Sequence, residues 1–438
     1  MAGLLAFDLF FLVRPLLEAA PAYRPRPAGT TYAYSFLVVA AFAPYALTVW
    51  AAGPRVPVRW ALAGTAAIHL VVVPAALTQS QDLYAYLFYG KMWATHGANP
   101  YVDLPLRFAP DPWFAWMRWP DQVSVYGPLW TILTGGVAAL SGGSLAAGFA
   151  LSKALVVLLG LATVLGVLPA AGDRGVPVGR ALLIWAWNPL VIVSLPLGGH
   201  ADVAVTAALV WALVADRRGR TTTACLLLTA ATLVKAYAGV VLVVYLLALG
   251  RRRAGMGRAT VASLALAALA YAPFWEGWQT LSGLAEVGRR ASASLGGGLQ
   301  LLLGTIVSES AAAWVVRAIG LAVIMLVIAR GALDDRFAPD PWPFAAAAFV
   351  AYLVVTPWFL YWHLVGALLV SVLAASPPLR AGTVAFSGTA MLTASFGSTW
   401  WGRVVQTALR YGIPAAAFTF ARRAGGGTPP RSPQRPGS

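Results

Sequence analysis

Residues 80–101, SQDLYAYLFYGKMWATHGANPY, gather a carboxylate, several aromatic rings and a lysine in one short stretch. Read as a helix, Asp82, Tyr86, Tyr89 and Trp93 fall on one stripe, at i, i+4, i+7 and i+11. Leu83, Leu87 and Met92 fall roughly on another. A carboxylate among aromatic rings suits a sugar, and it can take the proton of an attacking hydroxyl. The apolar stripe predicts that this helix lies in a membrane interface with its apolar side in lipid. The same spacing also fits an aspartate that only caps the helix, with tyrosines in an interfacial belt.

Other groups could join this chemistry. Lys235 sits between two short apolar runs, 221–234 and 236–249, where a charge is costly unless it lines a cavity or meets an anion. A lysine snorkelling to the interface would look the same. Arg289 and Arg290 are adjacent in a long loop and could grip a phosphate or stand solvated. His200 and Asp202 follow a glycine pair. His200 could touch sugar or phosphate, or sit at the interface, and Asp202 could instead cap a helix beginning at Val203. Pro357, Trp358, Tyr361, Trp362 and His363 form an aromatic turn of the interfacial-belt type. Asp103, Asp111 and Asp121 are alternative carboxylates, and their proline-rich surroundings favour turns. The first long loop holds no DxD pair, and no zinc-type ligand cluster appears. No cofactor is therefore expected, with a divalent metal left open.

The elements that must hold these groups are membrane helices. The chain has 438 residues, 59% hydrophobic and only 11% charged, too little charge to cover a soluble surface of this size. Long apolar runs separated by short polar punctuation predict an all-α, polytopic membrane protein of about 12–14 spans. The net charge of +16 resides mostly in arginines of short loops, so topology explains it better than nucleic acid does. The lone Cys225 excludes an internal disulfide.

Spans are read near 31–52, 60–77, 147–170, 181–196, 203–215, 221–235, 237–249, 259–275, 312–330, 342–357, 363–376, 381–397 and 404–421. With 129–142 kept at the outer face, every basic loop then falls on one side, the cytoplasmic one. Residues 1–421 read as one domain. Two long loops, 78–128 and 276–311, face outward, and a basic tail, 422–438, is expected to be disordered and cytoplasmic. Residues 4–20 either span or lie on the surface. No internal repeat is evident, which weighs against an inverted-repeat transporter.

The succession of motifs resembles a known family. QDLYAYLFYGKMWATHGANPY, with its Asp, tyrosine-bearing helix, basic residue and Asn-Pro-Tyr, is similar to the first-loop motif of polyprenol-phosphate-mannose-dependent mannosyltransferases of actinobacterial type. YGPLW at 126–130 and NPLVIVSLPLGGHADV at 188–203 extend the resemblance, which covers about the first 250 residues. These enzymes belong to the wider C-type glycosyltransferase superfamily, whose architecture the resemblance implies here. It also implies Asp82 as catalytic base, a β-linked donor and an α-linked product. The chain departs from the pattern twice: Lys91 stands where relatives often have Arg, and Ala201 precedes Asp202 where relatives often carry Asn.

The reading is an inverting transfer of mannose from a polyprenyl-phosphate donor to an extracytoplasmic glycan or glycolipid acceptor, in a multi-pass protein of the cell membrane. Asp82 is the expected base. Lys235, Lys91, Arg289 and Arg290 are expected at the phosphate. Tyr86, Tyr89, Tyr126, His200, Asp202 and His363 are expected in the sugar or acceptor pocket. Membrane lipid is an expected partner, nucleic acid is not, and the oligomeric state is open. The alternatives are another polyprenyl-phosphate sugar, arabinose or glucose, or a membrane transporter or lipid flippase.

Overall fold

The computed structural model describes residues 28–52, 56–73, 80–253, 255–292, 294–391 and 400–425. The stretch 4–20 lies outside them, as does the tail beyond 425. Arg422 and Arg423, expected in that tail, instead finish the last helix. All named elements among the described residues are helical.

In chain order the first helices are α1 (Ala28–Ala52), α2 (Val58–Val72), α3 (Asp82–Ala94), α4 (Pro128–Leu140), α5 (Leu145–Gly172), α6 (Val178–Ala186) and α7 (Pro189–Ile192). Then come α8 (Asp202–Arg217), α9 (Thr221–Val234), α10 (Gly239–Arg252), α11 (Met256–Tyr271), α12 (Ser282–Arg289) and α13 (Leu295–Leu303). The chain ends with α14 (Glu309–Ala332), α15 (Trp342–Val355), α16 (Leu364–Ala374), α17 (Pro377–Ala390) and α18 (Trp400–Gly425).

Local chemistry explains many of the boundaries. Pro128, Pro189 and Pro377 open α4, α7 and α17, where a missing N–H costs nothing. Ser144, Asn188 and Ser308 cap α5, α7 and α14 through side-chain oxygens that accept N–H bonds from Ala147, Leu190 and Ala311. Asp82 and Asp202 do not act as caps: each is the first residue of its helix, and its carboxylate bonds elsewhere.

α5, α14 and the segment Met256–Phe274 are each long and apolar enough to cross a membrane. The bent pair Val178–Ala186 and Pro189–Leu197, angled at 59°, would add a fourth crossing. Other apolar helices measure 10–17 residues, short of the roughly 20 that a straight crossing needs. Breaks at Trp187–Asn188, at Lys235 and between Thr356 and Leu360 shorten them. Leu158 and Leu161 on α5, with Trp314, Leu321 and Leu326 on α14, remain exposed. An outward apolar surface of this kind suits lipid. α8 is its opposite: apart from Ala208, Trp211 and its last two residues it is buried along its length, which makes it the central helix.

α3 departs from expectation. Leu83, Leu87 and Met92 do not meet lipid, because every residue from Asp82 to Met92 is buried by protein. Leu87, Phe88 and Met92 pack in a cluster with Trp113, Met117, Val137 and Ala138. A glycine makes this possible: a Cβ on Gly90 would lie 2.4 Å from the Thr134 backbone, so α3 and α4 meet almost backbone to backbone. The hydrophobic stripe was real, but its partner is protein.

The arginine loops gather at one end of the bundle. Arg174 forms a two-pronged pair with Asp340 at 3.0 and 2.7 Å and donates to the Leu373 carbonyl at 2.9 Å. Asp216 accepts from Arg252, Tyr245 and Trp342 at 2.7–2.8 Å. The loop around Asp82 gathers with other loops at the opposite end.

Candidate functional site

Four segments build the far end. The first is the start of α3, with Asp82. The second is the turn after α7: residues Val193–Leu197 form a π-helical turn containing Pro196, closed by Gly198 and by Gly199 at φ +68°. Such turns interrupt the normal ladder and recur at functional sites. Gly198 has no room for a side chain, since a Cβ there would lie 2.7 Å from the Val193 carbonyl. The glycine pair therefore reverses the chain within two residues and presents His200 and Asp202 inward. Lys153 of α5 steadies the turn by donating to the Pro196 and Leu197 carbonyls at 2.9 and 2.7 Å.

The third segment is the break between α9 and α10, where Lys235 is extended (φ −144°, ψ 118°). Gly127 of YGPLW donates to the Val234 carbonyl at 3.0 Å, and a Cβ on it would lie 1.9 Å from the Leu233 oxygen. The motif's glycine thus lets α4 press directly on the backbone that carries Lys235. The fourth segment is the aromatic turn 356–363. Ser292 and Ser294 of the second long loop donate to its Pro357 carbonyl at 3.1 and 2.7 Å.

At the centre, Asp82 is 5% exposed and His200 1%. His200 Nδ1 lies 3.3 Å from Asp82 Oδ2, close enough for an ion pair though off the line of a hydrogen bond. The His200 ring stacks on Trp362 with centroids 4.1 Å apart. Tyr86 donates to the same carboxylate oxygen at 3.4 Å, and its ring meets Tyr126 edge-on at 4.5 Å. Two residues after His200, Asp202 is fully buried and takes Lys235 Nζ at 2.6 Å on one oxygen and the Tyr237 hydroxyl on the other. The Tyr237 ring lies 5.0 Å from that of His363. Asp82 is within electrostatic reach of both His200 and Lys235. The structure therefore brings Asp82, Tyr86, Tyr126, His200, Asp202, Lys235 and His363 into one cluster, in which Tyr126 and His363 are half-buried and the others buried.

Tyr89 and Arg290 border this cluster. Tyr89 donates to the Gln122 carbonyl at 2.8 Å, while Arg290 donates to the Gln122 side chain and lies over the Trp358 ring at 5.6 Å. Both partners of Arg290 are neutral. Arg289 ends α12, and its side chain lies outside those described.

Lys91 is placed elsewhere. It sits nine residues along α3 from Asp82, about 13 Å away along the axis. Its Nζ is 2.7 Å from Asp111, over the Trp113 ring at 4.3 Å, and His96 reaches the same carboxylate at 2.8 Å. Burial raises the Asp111 pKa, yet Lys91, the Trp113 N–H and His96 together outweigh it and hold it below its ordinary value. Asp111 is thus an anchor of the loop. Asn99 and Tyr101 anchor it as well: Asn99 donates to the Phe274 carbonyl and to Glu276, both at 2.8 Å, and the Tyr101 hydroxyl pairs with Thr131 at 2.8 Å. The Asn-Pro-Tyr motif ties the two long loops together.

Tyr237, Gln122 and Lys153 escaped the sequence reading. Lys153 had a readable signal, a charge inside an apolar run. Among the described residues, no group of three or more His, Cys, Asp or Glu side chains gathers as a metal site.

This geometry can be set beside known proteins. The model of a family described as alpha-(1->6)-mannopyranosyltransferase, N-terminal domain, matches residues 14–251. The chain is 30% identical over 250 residues to alpha-(1->6)-mannopyranosyltransferase A of Mycobacterium tuberculosis (strain ATCC 25618 / H37Rv). That match covers 55% of this chain and 47% of the relative, so the likeness spans about half of each. No solved structure matches. The matched region contains Asp82, Tyr126, His200, Asp202 and Lys235 and stops before Arg290 and His363.

Proposed function

We propose that this chain, which belongs to the alpha-(1->6)-mannopyranosyltransferase N-terminal-domain family, transfers mannose from a polyprenyl-phosphate donor to a glycan or glycolipid hydroxyl on the extracytoplasmic side of a membrane. The observation that carries the reading is the buried Asp82 carboxylate beside His200, at the end of the bundle where the two long loops meet.

In this account Asp82 Oδ2 accepts the proton of the acceptor hydroxyl. The acceptor oxygen attacks the anomeric carbon from the face opposite the phosphate, and the bond from that carbon to the phosphate oxygen breaks. The configuration inverts, and polyprenyl phosphate leaves with the electron pair. His200, held flat against Trp362, orients the carboxylate. Tyr86 donates to Asp82 in the resting state and yields to the acceptor. Tyr126 and His363 line the sugar side, with Tyr89 at its rim.

The departing phosphate needs cations placed in advance. Arg290, with two neutral partners, is the first of them. Lys235 is the second: its ammonium carries three donors, and Asp202 takes one. Asp202 and Tyr237 then position Lys235 and do not touch the sugar. Lys91 anchors the first loop and takes no part in phosphate binding.

The test is transfer by the full-length purified chain in liposomes, with radiolabelled polyprenyl-phosphate mannose and, separately, a nucleotide-diphosphate mannose. Radiolabel appearing in a covalent glycan product from the lipid donor alone is the expected result. Movement of the lipid across the bilayer without any covalent product would overturn the proposal in favour of a transporter.

A further inference from the structure

Lys153 places a charge inside the apolar helix α5, about 12 Å from its start. An ammonium at that depth is costly unless something holds it, and Lys153 is only 4% exposed. Two backbone carbonyls hold it, those of Pro196 at 2.9 Å and Leu197 at 2.7 Å. Both belong to the π-helical turn that leads into His200. The N–H groups that follow the turn, of Gly198, Gly199 and His200, donate to the Val193, Leu195 and Ser194 carbonyls. The Pro196 and Leu197 carbonyls instead take the ammonium of a separate helix.

The same stretch of α5 also meets the helix that carries Asp82. α5 packs against both α3 and the π-helical turn, and along α8, which begins two residues after His200. The Phe149 ring, one turn before Lys153, lies 5.8 Å from its ammonium and stacks on Tyr84 with centroids 5.8 Å apart. Tyr84 meets Trp116 of the first long loop at 4.9 Å. Between Asp82 and Tyr84, Leu83 lies under the end of the turn, where a Cβ on Gly199 would be 3.2 Å from its Cδ1. Residues 149–153 thus hold both halves of the reacting pair, the backbone before His200 and the ring beside Asp82. His200 Nδ1 and Asp82 Oδ2, at 3.3 Å, are off the line of a hydrogen bond. Such a contact does not set its own distance. Trp362 fixes the plane of the His200 ring, and the turn fixes its height.

We propose that Lys153 is a positioning residue for sugar transfer: it clamps the π-helical turn to α5 and so sets His200 against Asp82, without touching the substrate. The proposal rests on the roles assigned above to Asp82 and His200.

The experiment uses the full-length chain in liposomes with polyprenyl-phosphate mannose and a synthetic mannoside acceptor, and confirms folding by thermal unfolding. In K153M kcat should fall about tenfold or more, while KM for the donor stays within about twofold. K153R keeps the charge and the donors, so it should recover at least about threefold of that loss. K153Q keeps two N–H donors on a shorter, neutral side chain, so its kcat should lie between those of K153M and the wild type; it decides the question where K153M does not fold. S152A changes the neighbouring residue, whose buried hydroxyl has no hydrogen-bond partner, and should transfer like the wild type. A cycle with His200→Ala separates positioning from general damage: in that background K153M should cost less than about twofold more, because Lys153 acts through His200. Folded K153M or K153Q with kcat within about twofold of wild type would overturn the role of Lys153 alone. So would a raised KM with unchanged kcat, a K153R as slow as K153M, or losses that multiply in full in K153M/H200A. A wild type that makes no covalent product from the lipid donor would instead overturn the sugar-transfer reading, and this role with it.

Discussion

Removing either partner of the Asp202–Lys235 pair should do more harm than removing both. Lys235 Nζ lies 2.6 Å from Asp202 Oδ2, with side-chain exposures of 8% and 0%. A buried ion left without its partner costs about 3–5 kcal/mol, most of it uncompensated desolvation. Asp202→Asn leaves the Lys235 ammonium buried beside a neutral amide, and Lys235→Met leaves the carboxylate with only the Tyr237 hydroxyl. The double variant D202N/K235M buries no charge and keeps an acceptor for Tyr237. It should therefore cost less than either single change, so the coupling should be at least as large as one single loss, about 3–5 kcal/mol. Thermal or denaturant unfolding of the four proteins in one detergent gives the cycle. Activity separates two roles within the same set. If the pair only held the fold, the double variant would recover transfer along with stability. Because Lys235 is assigned to the phosphate, the double variant should regain stability and remain inactive. Additive stability losses would refute the buried-pair reasoning, and an active double variant would refute the phosphate role.

Three further outcomes follow from the geometry. Gly127→Ala should destabilise the chain by about 1–3 kcal/mol and impair transfer, because its Cβ would lie 1.9 Å from the Leu233 oxygen; Gly136→Ala, with open space at that position, should be neutral or mildly stabilising, and unfolding curves of the two compare them. Asn99→Ala should loosen both long loops together, seen as faster amide exchange at 99–103 and 274–280 with α5 unchanged; exchange confined to the first loop would contradict the tie. The Asp111 anchor depends on pH in a defined direction. Its pKa is lowered on folding from the ordinary 3.8, so its contribution is complete above that value and is lost as pH falls through the folded pKa. Protection of the first loop should therefore hold down to about pH 4 and drop below it, while Asp111→Asn should show weak protection throughout.

The helices were legible where polar punctuation is sharp. The run 221–235 became α9, ending at Val234, and 203–215 became α8, because arginine loops and Lys235 interrupt the apolar pattern at those points. The break at Lys235 was visible as a charge that no apolar run could absorb. The burial of α3 was not legible. A stripe of Leu83, Leu87 and Met92 demands an apolar partner, and the sequence does not distinguish lipid from Trp113 and Met117. The fate of Lys91 was hidden for a similar reason, since its partner Asp111 is twenty residues away in a loop whose path only tertiary structure fixes. The contact of Asp82 with His200 joins residues 118 positions apart by number. Their motifs marked both as chemically competent, but nothing local showed that a π-helical turn and two glycines would set one against the other. Asp202 reads from its neighbours as a cap, and only the fold shows its carboxylate spent on Lys235 and Tyr237.

The central claim is that Asp82 accepts the acceptor's proton, and the most direct measurement compares wild type, Asp82→Asn and Asp82→Glu in single-turnover transfer from polyprenyl-phosphate mannose. Asparagine keeps the size of the side chain and removes its basicity, so D82N should fold normally and lose transfer by about 10²-fold or more. Glutamate keeps the basicity but displaces it, so D82E should retain a measurable rate. A D82N rate near that of wild type, in protein shown to be folded, would contradict the account.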